Sequence, residues 1–369
     1  MKVRKSNYEL MRIVSMFLII LCHILTHGHV YVNSVGINQF LFTFLYCITL
    51  VHVNSFILLM GYFNYNKQFS LKKFFSIFNM SWFYQIAIIL ILCLVGLNNV
   101  GGVYDILGEV SPLNFSYWFI VCYLVVYILS PFINTLINNL TQVSHRKLII
   151  ILIILYSILP FITGQELIKN TGFTIAQFIF LYFVGAYLRK YPIENNFHFK
   201  NYSKNKRQFI FLSFAIIFCS LHFLMTISAH TFLDYNNPLI HNMGEILQGN
   251  LLSYSTLFVV LQSIFYFLWF GTLEIQSKKI NYISSLVFGV YLIHDNHYLR
   301  EYIYSWIGID KGEIIYGKSI FLEVFICAII IMVVCLIIEF IRKQLFKFIG
   351  NRKISLKLKK KFYNYIENF

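Results

Sequence analysis

The sequence predicts an all-α fold: a polytopic integral membrane protein with about ten transmembrane helices and both termini cytoplasmic. Three observations predict it. The 369 residues are 58% hydrophobic and only 12% charged, against about 45–50% and about 25% in a soluble domain. Apolar runs recur along the whole chain, giving a mean hydropathy of +0.68. The cationic residues that make the net charge +15 fall almost entirely in alternate connections between those runs.

A hydrocarbon core of about 30 Å takes about 20 apolar residues in a helix. Ten runs qualify, at roughly 10–30, 37–63, 74–97, 116–137, 148–163, 173–188, 208–229, 251–272, 281–299 and 319–341. The first is followed by no small-residue cleavage site, so it reads as an uncleaved span. The runs 148–163 and 173–188 are shortest, and are expected to extend into their flanks or to tilt little. With the N-terminus inside, 26 Lys and Arg lie in cytoplasmic segments and four outside: Lys169, Arg300, Lys311 and Lys318. That is a strong positive-inside asymmetry. It makes the bilayer, and not a nucleic acid, the partner of the excess charge.

The chain divides into a transmembrane domain, 1–341, and a basic cytoplasmic tail, 342–369. The seven cysteines lie in apolar runs without metal-ligand spacing and read as packing residues. No metal is expected. The outer loops hold eight of the fifteen acids, Asp234 among them. The segment 230–250, with no Lys or Arg, suits either a sugar-like acceptor or a solvated cap.

Ionisable residues inside spans are costly and mark function by default. Arg12 and His23, eleven residues apart in the first run, share one helix face about 16 Å apart along the axis. Arg12 falls at the cytoplasmic rim, suited to phosphate. His23 falls near mid-membrane, suited to general acid–base work. An acyl-coenzyme A has phosphates at one end and a thioester at the other, and this separation accommodates it. The plainer reading makes Arg12 a topology anchor and His23 an interhelical hydrogen-bonding residue. His52 lies at a depth like that of His23, with Asn54 beside it, and these two are the candidates to fix its tautomer. His294 and Asp295 fall in the outer half of the ninth run.

Four segments together resemble the acyltransferase family 3 membrane proteins. NYELMRIVSMFLIILCHI carries the Arg, ten intervening residues and His of that family's first helix. HVNSFILLMGYF is similar to its second-span ending, with Met60 where Ser is usual before Gly61. SYWFIVCYLVVYILSPFI resembles its Trp-Phe helix, and SSLVFGVYLIHDNHYLR its late Gly-Tyr-Leu-Ile-His segment. The order is the family's, over residues 7 to 300.

The resemblance implies a plasma-membrane enzyme that moves an acyl group, usually acetyl, from cytoplasmic acyl-CoA to a hydroxyl of a cell-surface polysaccharide or lipid-linked sugar. Acetyl-CoA is then the donor co-substrate. His23 becomes the general base, with His52, His294 and Asp295 as further catalytic candidates. Arg12, Lys72 and Lys73 become the coenzyme A ligands, and Asn54, Trp118, Tyr291 and Asp234 the substrate-binding set. Many members carry arginines on the loop after the second span, where this chain has Lys67, Lys72 and Lys73. Some carry an extracytoplasmic hydrolase-like domain, for which no room is expected after Phe369. GxSxG, HExxH and GxxxxGK[ST] are absent. The rival readings are a glycan polymerase or flippase, which should carry its arginines on outer loops, and a solute transporter, which should show matched broken spans.

Overall fold

Among the described residues, five helices begin at a Ser or Thr whose hydroxyl takes a backbone N–H of the first turn: Ser70, Thr141, Thr174, Ser203 and Ser277. Such caps satisfy donors that a helix start leaves unpaired. The computed structural model describes residues 5–97, 108, 117–163, 172–195, 199–233, 237–307 and 319–350. Among them every regular element is helical. Those longer than five residues are, in order, α1 (Ser6–His27), α2 (Ile37–Thr49), α3 (Val51–Asn64), α4 (Leu71–Leu94), α5 (Trp118–Asn139) and α6 (Gln142–Ile153). Then follow α7 (Ile175–Lys190), α8 (Lys204–Leu233), α9 (Pro238–Leu251), α10 (Leu257–Thr272), α11 (Lys278–Ser284), α12 (Val287–His294), α13 (His297–Ile307) and α14 (Ser319–Gly350).

Among the described residues, seven segments are long and apolar enough to cross a membrane: Ser6–His27, Ile37–Asn64, Leu71–Leu94, Trp118–Asn139, Gln142–Phe161, Lys204–Phe232 and Ile320–Ile349. They coincide with seven of the ten expected runs. The sixth and eighth runs are α7 and α10, of 16 residues each, about 24 Å long and short of a full crossing. The ninth run, expected as one span over 281–299, is broken into α11, α12 and α13. Its second break has a clear cause. Asn296 Oδ1 accepts the N–H groups of Tyr298 and Leu299, capping α13, while its Nδ2 donates to Tyr117 Oη.

Two further runs are interrupted where hydroxyls take local backbone partners, a known competitor of helix continuation. The run 37–63 breaks at Leu50, where Thr49 Oγ1 donates to Tyr46 O at 2.7 Å. The run 251–272 becomes helical only at Leu257. Before it, Ser253 and Ser255 share a 2.7 Å hydroxyl contact and Thr256 Oγ1 donates to Asn250 O. Ser253, Tyr254, Ser255 and Thr256 are all buried, so this irregular backbone is enclosed in protein. Such backbone is tolerated at membrane depth only there or along a cavity.

Helix α1 runs through the middle of the bundle, against α2, α3, α10, α11, α12 and α14. Its C-terminal half (Ile20, Leu21, Ile24) packs with α12 and α14, and its N-terminal half (Tyr8, Met11) with α3, α7 and α10. Outward, Ile329, Ile330, Val333, Val334, Ile337 and Ile338 of α14 are exposed, the apolar face a lipid-facing helix presents.

One buried charge ties α14 to its neighbours. Glu339 accepts from Tyr84 Oη at 2.6 Å and from Arg342 Nε and Nη2 at 2.6 and 2.7 Å. A Cβ at Gly289 would come 2.5 Å from its carboxylate. Only glycine lets α12 approach that close, and α12 delivers His294 and Asp295.

Candidate functional site

A single cavity of about 1460 Å³ follows α1 along nearly its whole length, lined by Lys5 and Arg12 towards one end and by His23 and His27 towards the other. From Lys5 to His27 that is about 33 Å of helix. The first end is basic, with Lys5, Arg12, Lys67, Lys73 and Arg189 in its lining. The opposite end holds His297 and Arg300. Exposed residues line both ends, Lys5 and Arg189 at one and His297 at the other.

At the basic end two neighbouring rings organise the cations. Arg12 and Lys67 lie 5.8 and 5.9 Å from the Phe63 ring centroid, and Arg189 and Lys5 lie 5.2 and 6.0 Å from that of Tyr62. Arg12 Nη1 also contacts both oxygens of Glu9, at 2.9 and 3.1 Å, and Glu9 in turn accepts from Ser284 Oγ. Lys73 Nζ donates to Asn64 Oδ1 at 3.2 Å and lies 4.6 Å from the Tyr127 ring centroid. Lys72, one residue earlier, is exposed and outside the lining.

Deeper in, three imidazoles meet. The His23 ring lies 5.0 Å from that of His27 and 5.2 Å from that of His294. His23 Nδ1 is 3.5 Å from Asp295 Oδ1, close enough to pair, although no hydrogen bond is closed there. Asp295 thus occupies the place by His23 expected of Asn54 or His52. The reason is that both are already engaged. Asn54 Nδ2 donates to Tyr254 O at 2.9 Å, and His52 Nδ1 contacts Thr49 O at 2.5 Å.

Backbone carbonyls only accept, so they assign tautomers. His52 must carry its proton on Nδ1, leaving Nε2 to accept from Tyr254 Oη at 3.2 Å. His294 Nδ1 faces Val290 O at 2.7 Å, so its Nε2 presents a lone pair, and that buried atom has no hydrogen-bond partner among the described residues. Asp295 also faces Arg300 Nη1 at 3.8 Å, and Arg300 Nη2 donates to His297 Nδ1 at 3.3 Å. His23, His27 and Asp295 bring ligand atoms within 4.8 Å of one another. Among the described residues they are the group that could share a cation.

The remaining expected residues divide. Trp118 and Tyr291 line the cavity, Trp118 with its ring tilted against that of Phe173 at 4.5 Å and Tyr291 packing on Phe119 at 5.9 Å. Asn54 is buried behind the wall, holding Tyr254. Asp234 lies outside the described residues. Tyr254 is a lining residue that the sequence reading missed. Its signal is the polar run SYST inside an apolar segment, too short to read as a break. His27, His297, Arg300 and Arg189 were missed as well.

This fold and site define a class: an integral-membrane protein whose helices enclose one passage from a cationic end to a histidine–carboxylate cluster. The family profile described as an acyltransferase domain, that of acyltransferase family 3, matches residues 5–340. The chain belongs to that family and is a membrane acyltransferase. No curated protein and no solved structure matches it. Family membership sets aside the polymerase, flippase and transporter readings.

Proposed function

We propose that this chain moves an acetyl group from cytoplasmic acetyl-CoA to a hydroxyl of a cell-surface polysaccharide, or of its lipid-linked precursor. One observation carries the reading: a single cavity joins the cationic end to His23 and Asp295. The coenzyme A phosphates rest at the cationic end on Arg12, with Lys73 beside it. The pantetheine arm follows α1 inward, and the thioester stops by His23. The acceptor enters from the His297–Arg300 end, past Trp118 and Tyr291. His23 takes the hydroxyl proton as the oxygen attacks the thioester carbonyl. The C–O bond forms, the C–S bond breaks, and the proton passes to the departing thiolate. Asp295 stabilises the imidazolium while it lasts. No second domain is needed for direct transfer.

Membranes containing the chain should transfer label from acetyl-CoA to envelope glycan and not to a glycan-free control. Absence of glycan-dependent transfer rejects the reading. Within it, Arg12→Ala should weaken acetyl-CoA binding about tenfold or more, the scale of a lost hydrogen bond to a charged group. Acceptor affinity should barely move. Equal donor affinity in the purified variant would remove Arg12 from this role.

The orientation rests on the cation asymmetry, with the basic end inside. A single cysteine at Lys204, in a cysteine-free background, should resist impermeant thiol reagents in intact cells. One replacing Arg300 should react. The reverse pattern inverts the scheme.

A further inference from the structure

Arg189 has no role so far, yet it lines the cavity on a helix whose place against its neighbour is set by close backbone contact. It lies in the last turn of α7, and two glycine contacts set where that turn can go. A Cβ at Gly185 would sit 2.3 Å from Leu58 O and 3.0 Å from Tyr62 N, and one at Gly61 would sit 2.3 Å from Tyr182 O. Helices α3 and α7 therefore touch backbone to backbone. Arg189, four residues after Gly185, is brought against Tyr62, the residue after Gly61. Its guanidinium carbon lies 5.2 Å from the ring centroid, and Nη1 donates to Tyr62 Oη at 3.5 Å.

The two arginines of this end are in different states. Arg12 has Glu9 across one face of its fork. Arg189 has no carboxylate within ion-pair distance among the described residues, and it is exposed. An arginine in the last turn of a helix also offsets the helix dipole. That reading predicts a side chain turned back over the α7 carbonyls, whereas Arg189 lies on Tyr62 and lines the cavity.

Its depth also differs from that of Arg12. Tyr62 packs on Tyr8 with ring centroids 5.2 Å apart, and Lys5 Nζ lies over the same ring. Tyr8 on α1 and Lys5 just before that helix precede Arg12 by four and seven residues, about 6 and 10 Å of axial rise. Arg189 thus stands farther from His23 than Arg12 does. A donor with its thioester at His23 presents its diphosphate first and its 3′-phosphorylated ribose beyond.

We propose that Arg189, stacked on Tyr62, is the residue that recognises the 3′-phosphate of the donor nucleotide, binding it with a two-pronged guanidinium. The inference rests on acyl-CoA being the donor. It also gives this chain a fork that its post-span lysines lack, since an ammonium binds phosphate as a point charge.

The test uses the purified full-length chain, with acetyl-CoA and its 3′-dephospho analogue compared in equilibrium binding and in transfer kinetics. The wild type should prefer acetyl-CoA by about tenfold or more. Arg189→Ala should erase that preference through KM, with kcat unchanged at saturation. Arg189→Lys should restore only part of it. If Arg189→Ala keeps the wild-type preference, or the wild type shows none, Arg189 does not read the 3′-phosphate. If the wild type binds neither donor, the donor assignment itself fails, and this proposal with it.

Discussion

Replacing His23 by alanine should lower single-turnover acetyl transfer about 10²–10⁴-fold, the range general-base catalysis supplies, while membrane insertion and acetyl-CoA binding persist. His23 lines the cavity, faces Asp295 at 3.5 Å and shares a helix with Arg12. The rival base is His294, whose Nε2 lone pair is buried without a hydrogen-bond partner among the described residues. His52 is the weaker rival, because its Nε2 already accepts from Tyr254. Asp295→Asn should slow transfer less than His23→Ala, since it removes the charge facing the imidazolium and leaves the base in place. The decisive comparison is single-turnover transfer in His23→Ala, His52→Ala, His294→Ala and Asp295→Asn. Near-normal transfer by His23→Ala, with loss in His294→Ala, would move the base to His294 and leave the acyl-transfer reading intact.

What the sequence disclosed follows from how far each signal reaches along the chain. Helical rise alone relates Arg12 to His23, and both line the cavity on α1. The long apolar runs were equally legible, because a span needs only length and composition. Asp295 beside His23 was not, although both residues had been singled out. Their meeting depends on the break between α12 and α13 that Asn296 creates, and no Gly or Pro announces it. Tyr254 was hidden for the same reason, by a five-residue irregular turn inside an apolar run. Arg189 was hidden because it was counted as a topology charge. Its relation to Tyr62 comes from a helix crossing between segments more than 120 residues apart. Glu339 had no expected role, since only the fold brings Tyr84 and Gly289 to it.

That helix crossing carries the other large expected effect. Gly61→Ala and Gly185→Ala each place a methyl group 2.3 Å from a backbone oxygen, of Tyr182 and Leu58 respectively. No rotamer change can relieve either clash, because both the methyl and the oxygen belong to backbone positions. The helices must separate, and overpacking of this kind costs about 1–3 kcal/mol. Each variant should therefore show a clearly lowered Tm in detergent. The double variant should cost less than the two single costs together. Once one methyl has pushed α7 away from α3, the second finds room already made, and neighbouring sites couple in this way. The same separation moves Tyr62 on α3 and Arg189 on α7 relative to each other, so donor KM should rise in all three variants at temperatures where they remain folded. Additive losses of Tm, or an unchanged Tm in either single variant, would show that α3 and α7 do not meet through these two glycines.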